Sequence, residues 1–264
     1  MGMLAASLNC LELTADTRLP KVEGYFYHAE SRQFLFAQTP PHPTVSLMTL
    51  EDAIREDSFL EVEVPLNQRL KLALRVTEAI LFLHSAGFVH KNISSSSVVV
   101  LERDYPHCDE VSPYPALDNA YVMGFDLIRG VEARTSKEGA VREADELPRL
   151  IWEFDIFQHP DRLQGPSSPR YTKTYDVYSL GVLLLEIGLW EQLPEAIPDL
   201  DEENPSSWTE ELKAVVPKLS PRTGERYQRL VSWCLGMDGC EIVKEIEFAE
   251  QVLDPLDEMV NALS

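Results

Sequence analysis

The chain has 264 residues, of which 44% are hydrophobic and 25% charged, a composition that is typical of globular proteins and excludes disorder of the whole chain. Its formal net charge of −21 repels nucleic acid phosphates and anionic lipids, so neither nucleic acid nor a membrane is expected as a partner. No apolar run approaches the ~20 residues that span a bilayer, and the cysteines lack C-x-x-C spacing. These features predict a cytoplasmic protein with reduced thiols.

The first part of the chain is predicted to contain a β-hairpin between two short helices. The first helix is predicted for Leu4 to Leu13, and the aromatic-rich segments Gly24–Tyr27 and Arg32–Ala37 predict the two strands of the hairpin. Three prolines between residues 40 and 43 end this region. Thr49 is the predicted N-cap of the second short helix.

A long helix is predicted next, because apolar residues recur every three or four positions from Leu70 onwards. Asn67 is its predicted cap, and Gly87 marks its end. A polar loop follows. Two apolar segments, Val98–Leu101 and Ala120–Met123, then predict short strands.

The second half of the chain is predicted to be helical. Tyr175–Trp190 is apolar on nearly every side, so it is predicted to be a central helix that is buried on nearly every side. Trp208–Val216 and Gly224–Leu235 predict amphipathic helices, and Glu241–Leu263 predicts one or two more. The fold class is therefore α+β, mostly helical with a few short strands.

These elements resemble, in order, the C-terminal lobe of a protein kinase, and the resemblance covers roughly Gly24 to Leu235. His90-Lys91-Asn92 stands where the family's catalytic loop has H-R-D, and Gly124-Phe125-Asp126 stands where D-F-G is expected. His159-Pro160-Asp161 stands where A-P-E is expected. The run D-V-Y-S-L-G-V-L-L-L-E, which starts at Asp176, resembles the signature of the family's buried central helix.

The resemblance implies a protein-kinase-like fold with a mainly helical C-lobe and a reduced or truncated N-lobe. Residues 1–48 would be a remnant of the N-lobe, formed by its late strands and the hinge, and residues 49–264 would be the kinase-like helical C-lobe. A closer likeness is to fungal kinase-like proteins that are often encoded with a HeLo-type domain. In those proteins H-K replaces H-R, and a G-F-acidic triplet replaces D-F-G, as in this chain.

The residues that carry phosphoryl transfer in kinases differ in this chain. That reaction depends on positioned charges. Where the family has its catalytic aspartate, this chain has Asn92, an amide with no basic pair at neutral pH. Ser94 replaces the lysine that steadies the phosphate, and Ser97 replaces the metal-binding asparagine. Gly124 replaces the aspartate that holds magnesium through its carboxylate.

The nucleotide clamp of the family is missing as well. None of the twelve glycines belongs to a G-x-G-x-x-G motif, and the chain has no lysine in a V-A-I-K-like strand. We therefore expect no catalytic residue, no metal site and no cofactor. The resemblance implies a pseudokinase that serves as a binding or signalling scaffold for a protein partner.

Some residues that match the family have structural roles there. Asp176 is expected to accept hydrogen bonds from backbone amides of the loop that contains His90. His90 and Phe125 match members of the family's internal apolar spine, so His90 is interpreted as a buried packing residue rather than a catalytic base. Pro160 and Asp161 are likewise expected to be structural.

Two alternatives stay open. The chain is a divergent active kinase if Asp126, which in an extended segment faces the same side as Gly124, binds magnesium and ATP for transfer to serine or threonine. It is otherwise a truncated fragment of a larger kinase-like protein, which would expose an apolar face near Gly24–Ala37. The sequence names neither the partner nor the oligomeric state.

Overall fold

The computed structural model of the chain describes residues 17–29, 33–60, 64–103, 117–124, 129–130, 155–164, 167–198, 200–201 and 204–263. The helix predicted for Leu4 to Leu13 lies outside these ranges, as do Phe125 and Asp126. The described part of the chain includes both the polar loop that contains His90 and the predicted central helix.

The strands form three small antiparallel sheets. β1 pairs with β2, β5 lies between β3 and β6 in a three-stranded sheet, and β4 pairs with β7. The strands are β1 (Lys21–His28), β2 (Gln33–Thr39), β3 (Thr44–Thr49), β4 (Phe88–Val89), β5 (Val98–Arg103), β6 (Ala120–Val122) and β7 (Arg129–Gly130).

The hairpin and the two strands predicted after the polar loop are confirmed, whereas β3 was not predicted. β3 begins directly after the three prolines and pairs with β5, with Leu47 opposite Leu101 and Met48 opposite Val100. Its partner strand lies about fifty residues later in the chain, so local sequence patterns do not reveal it. The domain boundary predicted after residue 48 falls inside this strand.

The helices occupy most of the remaining described chain. No helix among the described residues is long and apolar enough to cross a bilayer. The helices are α1 (Leu50–Leu60), α2 (Leu66–Ser85), α3 (Lys173–Leu189), α4 (Leu193–Ala196), α5 (Trp208–Val215), α6 (Ser220–Thr223), α7 (Glu225–Leu235), α8 (Glu245–Phe248) and α9 (Asp254–Ala262). A π-helical turn, Ala249–Leu253, joins α8 to α9.

The predicted start of α1 is confirmed, and that of α2 is wrong by two residues. Thr49 caps α1, because the Asp52 backbone N–H donates to the Thr49 hydroxyl oxygen over 3.0 Å. The N-cap of α2 is Pro65, not Asn67. Asn67 lies inside the first turn, where its side-chain oxygen accepts from the N–H of Gln68 over 3.0 Å, and the same N–H also donates to the Pro65 carbonyl oxygen.

The central helix α3 is buried as predicted. Every residue from Thr174 to Leu189 is buried, and α2 and α7 pack against this helix. Two glycines permit the close approach: a Cβ at Gly181 would lie 2.4 Å from the Cβ of Cys234, and one at Gly188 would lie 2.6 Å from the Tyr227 ring. The side chains that line α3 therefore form the middle of the main core.

Candidate functional site

The polar loop from His90 to Ser97 lies between the strands β4 and β5, directly above the start of α3. Gly87, with φ of 81°, turns the chain from α2 into β4, a conformation that glycine adopts without strain. Asp176 in the first turn of α3 then holds the loop. Its carboxylate accepts from the backbone N–H groups of His90 over 2.7 Å and of Lys91 over 2.9 Å.

Asp176 has two further hydrogen-bond partners. His84 Nε2 lies 3.0 Å from its Oδ2, and the Tyr171 hydroxyl donates to its Oδ1 over 2.8 Å. Burial alone would raise the pKa of Asp176, but the His84 hydrogen bond and the neighbouring histidines outweigh it and lower that pKa. These four hydrogen-bond partners occupy about as many acceptor positions as one carboxylate has. Asp176 is thus a structural anchor of the loop, with no lone pair left for a metal ion or a substrate proton.

His90 is fully buried and its ring nitrogens are both engaged. Nε2 lies 2.8 Å from the Met123 carbonyl oxygen, which requires a proton on Nε2, and Nδ1 accepts from the Asn92 N–H over 3.3 Å. Burial lowers the pKa of His90 against the opposing charge of Asp176, so the ring is neutral at pH 7. Both ring nitrogens of His90 are therefore used in contacts that position the loop against β6.

Lys91 lies in the left-handed region, with φ of 71°, and its side chain leaves the loop towards aromatic rings. Its Nζ lies 5.3 Å from the centre of the Tyr171 ring, and the Arg162 guanidinium lies 5.2 Å from the same ring. Both are cation–π distances. Tyr171 thus links these two cations to Asp176 through its hydroxyl group.

The serines of the loop bond mainly to one another. Ser97 Oγ accepts from the Ser94 N–H over 3.0 Å and donates to the Ser94 carbonyl oxygen over 2.8 Å. Ser94 Oγ lies 3.0 Å from Ser96 Oγ. Ser94, Ser95 and Ser97 are buried. The hydroxyl groups of Ser94, Ser96 and Ser97 thus help to hold the short 3₁₀ turn Ser95–Ser97 in shape.

Gly124 follows β6 and faces the loop, with φ of 87°. A Cβ at this position would lie 3.3 Å from Asn92 Nδ2, 3.5 Å from the Ser97 Cβ and 3.6 Å from His90 Cε1. The neighbouring backbone is tied to the loop, because the Met123 N–H donates to the Ser97 carbonyl oxygen over 2.7 Å. A side chain at residue 124 would therefore begin in contact with the loop, and its contact with the Asn92 amide would be tighter than usual.

Pro160 and Asp161 begin a short 3₁₀ helix beside α3. His159 caps this helix, since its Nδ1 accepts from the Asp161 N–H over 3.2 Å. Burial is the main reason that the pKa of His159 is lowered. Its ring packs edge-on against Tyr178, with 4.8 Å between ring centres. These contacts are structural.

Glu186 is a buried titratable residue that sequence reasoning missed. It lies on α3 with 3% of its surface exposed, and its Oε2 has no hydrogen-bond partner among the described residues. Burial raises its pKa to about 7, although the Ser95 hydroxyl and the Leu193 N–H donate to the carboxyl group, and Glu51 adds to the rise. The signal was an acidic residue directly after the apolar run Leu180–Leu185, because acidic residues are rarely fully buried unless they are paired.

The described part of the loop offers few ligands of the kind that magnesium prefers. Magnesium requires carboxylate oxygens in a well-defined octahedron. The described loop residues His90–Ser97 and Gly124 include no carboxylate. Among the described residues, no cluster of histidine, cysteine, aspartate and glutamate side chains is arranged to hold a metal ion. The hydrogen bonds among the described residues stabilise the shape of this loop.

Comparison with known proteins gives one distant relative, and no family model matches the chain. The chain is 24% identical over 195 residues to a probable serine/threonine-protein kinase of Dictyostelium discoideum. The match covers 72% of this chain but 10% of the relative, so the chain spans about a tenth of that protein's length. It does not bear on the fungal or HeLo-associated part of the resemblance. The similarity suggests a distant kinase-like relationship for the chain.

Proposed function

We propose that the chain is a protein-kinase-like domain that is catalytically inactive and acts by binding another protein, as a scaffold in signalling. The observation that supports this most directly is the packing around Gly124. A residue without a side chain faces Asn92 and Ser97, and a Cβ there would already meet Asn92 at 3.3 Å. The position at which kinases have a metal-binding aspartate thus carries no ligand atom and lies in contact with the loop.

A second line of support is that the contacts which shape the loop are present, while the charged and metal-binding residues that the family uses at Asn92, Ser94 and Ser97 are replaced. Asp176 holds two loop amides, and His90 bonds to the Met123 carbonyl oxygen. These contacts stabilise a backbone shape and carry no chemistry. A domain with that combination is suited to binding through its surface.

The exposed aromatic residues of β1 support a binding role. Tyr25 is 41% exposed, and Phe26 and Tyr27 are each 53% exposed. They lie in the region where the fragment alternative places an apolar face. Aromatic side chains that stay in contact with water are typical of surfaces that bind another protein.

A kinase assay with magnesium or manganese tests the proposal. We expect no phosphate transfer by the wild-type chain to itself or to generic serine and threonine substrates, and no rise in melting temperature with ATP. The matched variant is Asp126→Ala, which should behave as the wild type does. Transfer by the wild type that disappears in Asp126→Ala would overturn the proposal.

The alternative is a divergent active kinase, which is favoured by the description of the relative as a probable kinase. Asp126 would then bind the metal. This alternative predicts that ATP at one hundred times its dissociation constant stabilises the chain by about 2.7 kcal/mol. The thermal shift with ATP therefore separates the two functions even if no substrate is found.

A further inference from the structure

The two most exposed large hydrophobic side chains among the described residues lie close together after α7. Ile242 is 71% exposed and Ile246 is 67% exposed. They are four positions apart, and four residues of even a fully extended chain span at most about 14 Å. One short segment of another protein is long enough to contact both. We call residues 238–250, which contain them, the isoleucine segment.

The isoleucine segment is held against the start of α3 and against the core. The Thr174 hydroxyl donates to the Glu241 carbonyl oxygen and accepts from the Val243 N–H over 3.1 Å. Val243 and Phe248 are buried, and both belong to the main core. The two isoleucines are therefore exposed on a fixed surface rather than at a frayed end. Apolar surface that is held in water in this way is suited to binding another molecule.

Negative charge is concentrated in the same segment. Residues 238–250 contain five acidic side chains and one lysine. One of the acidic side chains, Glu245, forms an ion pair with Lys173 of α3. The other four are exposed: Asp238, Glu241, Glu247 and Glu250. The apolar pair thus lies in a strongly acidic stretch of the chain.

The thiol of Cys240 responds to this charge. Cys240 is exposed and lies two positions before Ile242. The Asp238 carboxylate raises the pKa of the thiol, and Asp161 and Glu241 contribute to the rise. Asp161 belongs to the short 3₁₀ helix beside α3, so the negative charge extends from the segment onto a neighbouring element. A cation that approaches this surface is attracted to it.

We propose that the isoleucine segment is a docking site for a protein partner that presents a short segment with both apolar and basic side chains. The apolar side chains of the partner cover Ile242 and Ile246, and its lysine or arginine side chains lie beside Asp238, Glu241 and Glu247. An amphipathic helix with a basic face has this chemistry. The proposal rests on the proposed binding function and adds the chemistry of the partner.

Charge favours this occupant over a second copy of the chain. Each copy carries a formal net charge of −21, so two such surfaces in contact bring like charges together, which opposes association. A basic segment gains both from the attraction of opposite charges and from the burial of the isoleucine side chains. The exposed fractions are those within a single chain, so the described residues of that chain do not cover the pair.

Binding of a synthetic amphipathic helix tests the proposal. The probe is a fluorescent peptide with leucines on one face and lysines on the other, and its anisotropy is measured as the full chain is added at physiological salt. A peptide with glutamates in place of the lysines is not expected to bind. Ile242→Ser with Ile246→Ser should weaken binding of the lysine peptide roughly ten-fold. Leu263→Ser, at another exposed apolar position, should leave the affinity unchanged.

A second pair of variants separates a local site from general attraction to an acidic chain. Glu241→Gln with Glu247→Gln removes two charges from the isoleucine segment, and Glu56→Gln with Glu225→Gln removes two from exposed positions on α1 and α7. We expect the first pair to weaken binding roughly three-fold and the second pair to stay close to the wild type. All four glutamates are exposed, so the fold should be preserved, which melting curves verify.

Three results would overturn the proposal: no binding of the lysine peptide to the wild type, equal affinities of the wild type and the double-serine variant, or equal effects of the two glutamine pairs. Light scattering checks the competing occupant. Dimers of the wild type that disappear in the double-serine variant would assign the surface to a second copy and likewise overturn the proposal. Kinase activity is measured on the wild type without peptide, so a failure of the proposed function is distinguishable from a failure of the docking site.

Discussion

At the scale of single residues, Asp176 has the largest predicted effect on stability. Its carboxylate accepts from two loop amides and the Tyr171 hydroxyl, and it contacts His84. In Asp176→Asn, an NH₂ group replaces one of the two acceptor oxygens and faces groups that are themselves hydrogen-bond donors. Because buried donors would lose their acceptor, we expect a loss of about 3 kcal/mol in the free energy of unfolding.

Urea denaturation of the wild type and the variant measures this loss. The matched control is Asp161→Asn, the same chemical change at a side chain that is 32% exposed. We expect the control to change the free energy of unfolding by less than about 1 kcal/mol. Equal losses in both variants would show that Asp176 is not the anchor of the loop.

Glu186 should make stability depend on pH. Its carboxyl group has a folded pKa of about 7, raised from 4.5 mainly by burial. The protonated form is favoured in the folded state, so its stabilising effect is complete below pH 4.5 and is lost as the pH rises through 7. Glu186→Gln stays neutral at every pH.

The variant should therefore match the wild type near pH 4.5 and exceed its stability at pH 8. The expected excess at pH 8 is on the order of 2–3 kcal/mol, because one pKa unit corresponds to about 1.4 kcal/mol. Melting curves between pH 4.5 and 8 measure it, with Glu225→Gln at an exposed position as the control. A difference that does not change with pH would contradict the assignment of the raised pKa to Glu186.

At the scale of elements, the contact between α3 and α7 depends on a missing side chain. A Cβ at Gly181 would lie 2.4 Å from the Cys234 Cβ and 3.3 Å from backbone atoms of α7, which cannot move separately from the helix. We expect Gly181→Ala to destabilise the protein by about 1–3 kcal/mol, the usual effect of overpacking.

The matched control for this change is Gly24→Ala in β1. A Cβ at Gly24 would have no heavy atom within 4 Å, so the added methyl group meets open space. Thermal or urea unfolding of both variants gives the comparison, and the control should stay close to the wild type. If Gly181→Ala had the same free energy of unfolding as the control, α3 and α7 could move apart at little cost in free energy. The close contact would then not depend on the missing side chain at Gly181.

The elements differ in how far local sequence revealed them. The apolar run of α3 and the aromatic strands of the hairpin are local signals, and the structure confirms both. The strand β3 was missed because its partner β5 lies about fifty residues later. The start of α2 was placed at Asn67 because an asparagine is a common cap, whereas the chain begins the helix after Pro65.

At the scale of the whole molecule, apolar exposure is concentrated in the first part of the described chain. The exposed large hydrophobic residues there are Tyr25, Phe26, Tyr27, Val45 and Leu47. The helical part exposes fewer: Ile242, Ile246 and Leu263. Because a two-stranded hairpin is marginally stable alone, we expect truncation or substitution in this part of the molecule to affect local stability more than changes at the exposed residues of the helical part.

The sequence by itself determined the α+β class, the buried central helix and the identity of the residues at each kinase-like position. Those features follow from periodicity and residue type, which are local properties. It also predicted that Asp176 would meet the loop, although only through the family resemblance.

The tertiary structure alone decided what surrounds those residues. It brings His84, Tyr171 and two loop amides to one carboxylate, across up to 92 positions of sequence. It also buries Glu186 beside Ser95 and places Gly124 in contact with the loop. Such contacts depend on how distant segments pack, and burial and hydrogen-bond partners, which set pKa and reactivity, are properties of the packed state.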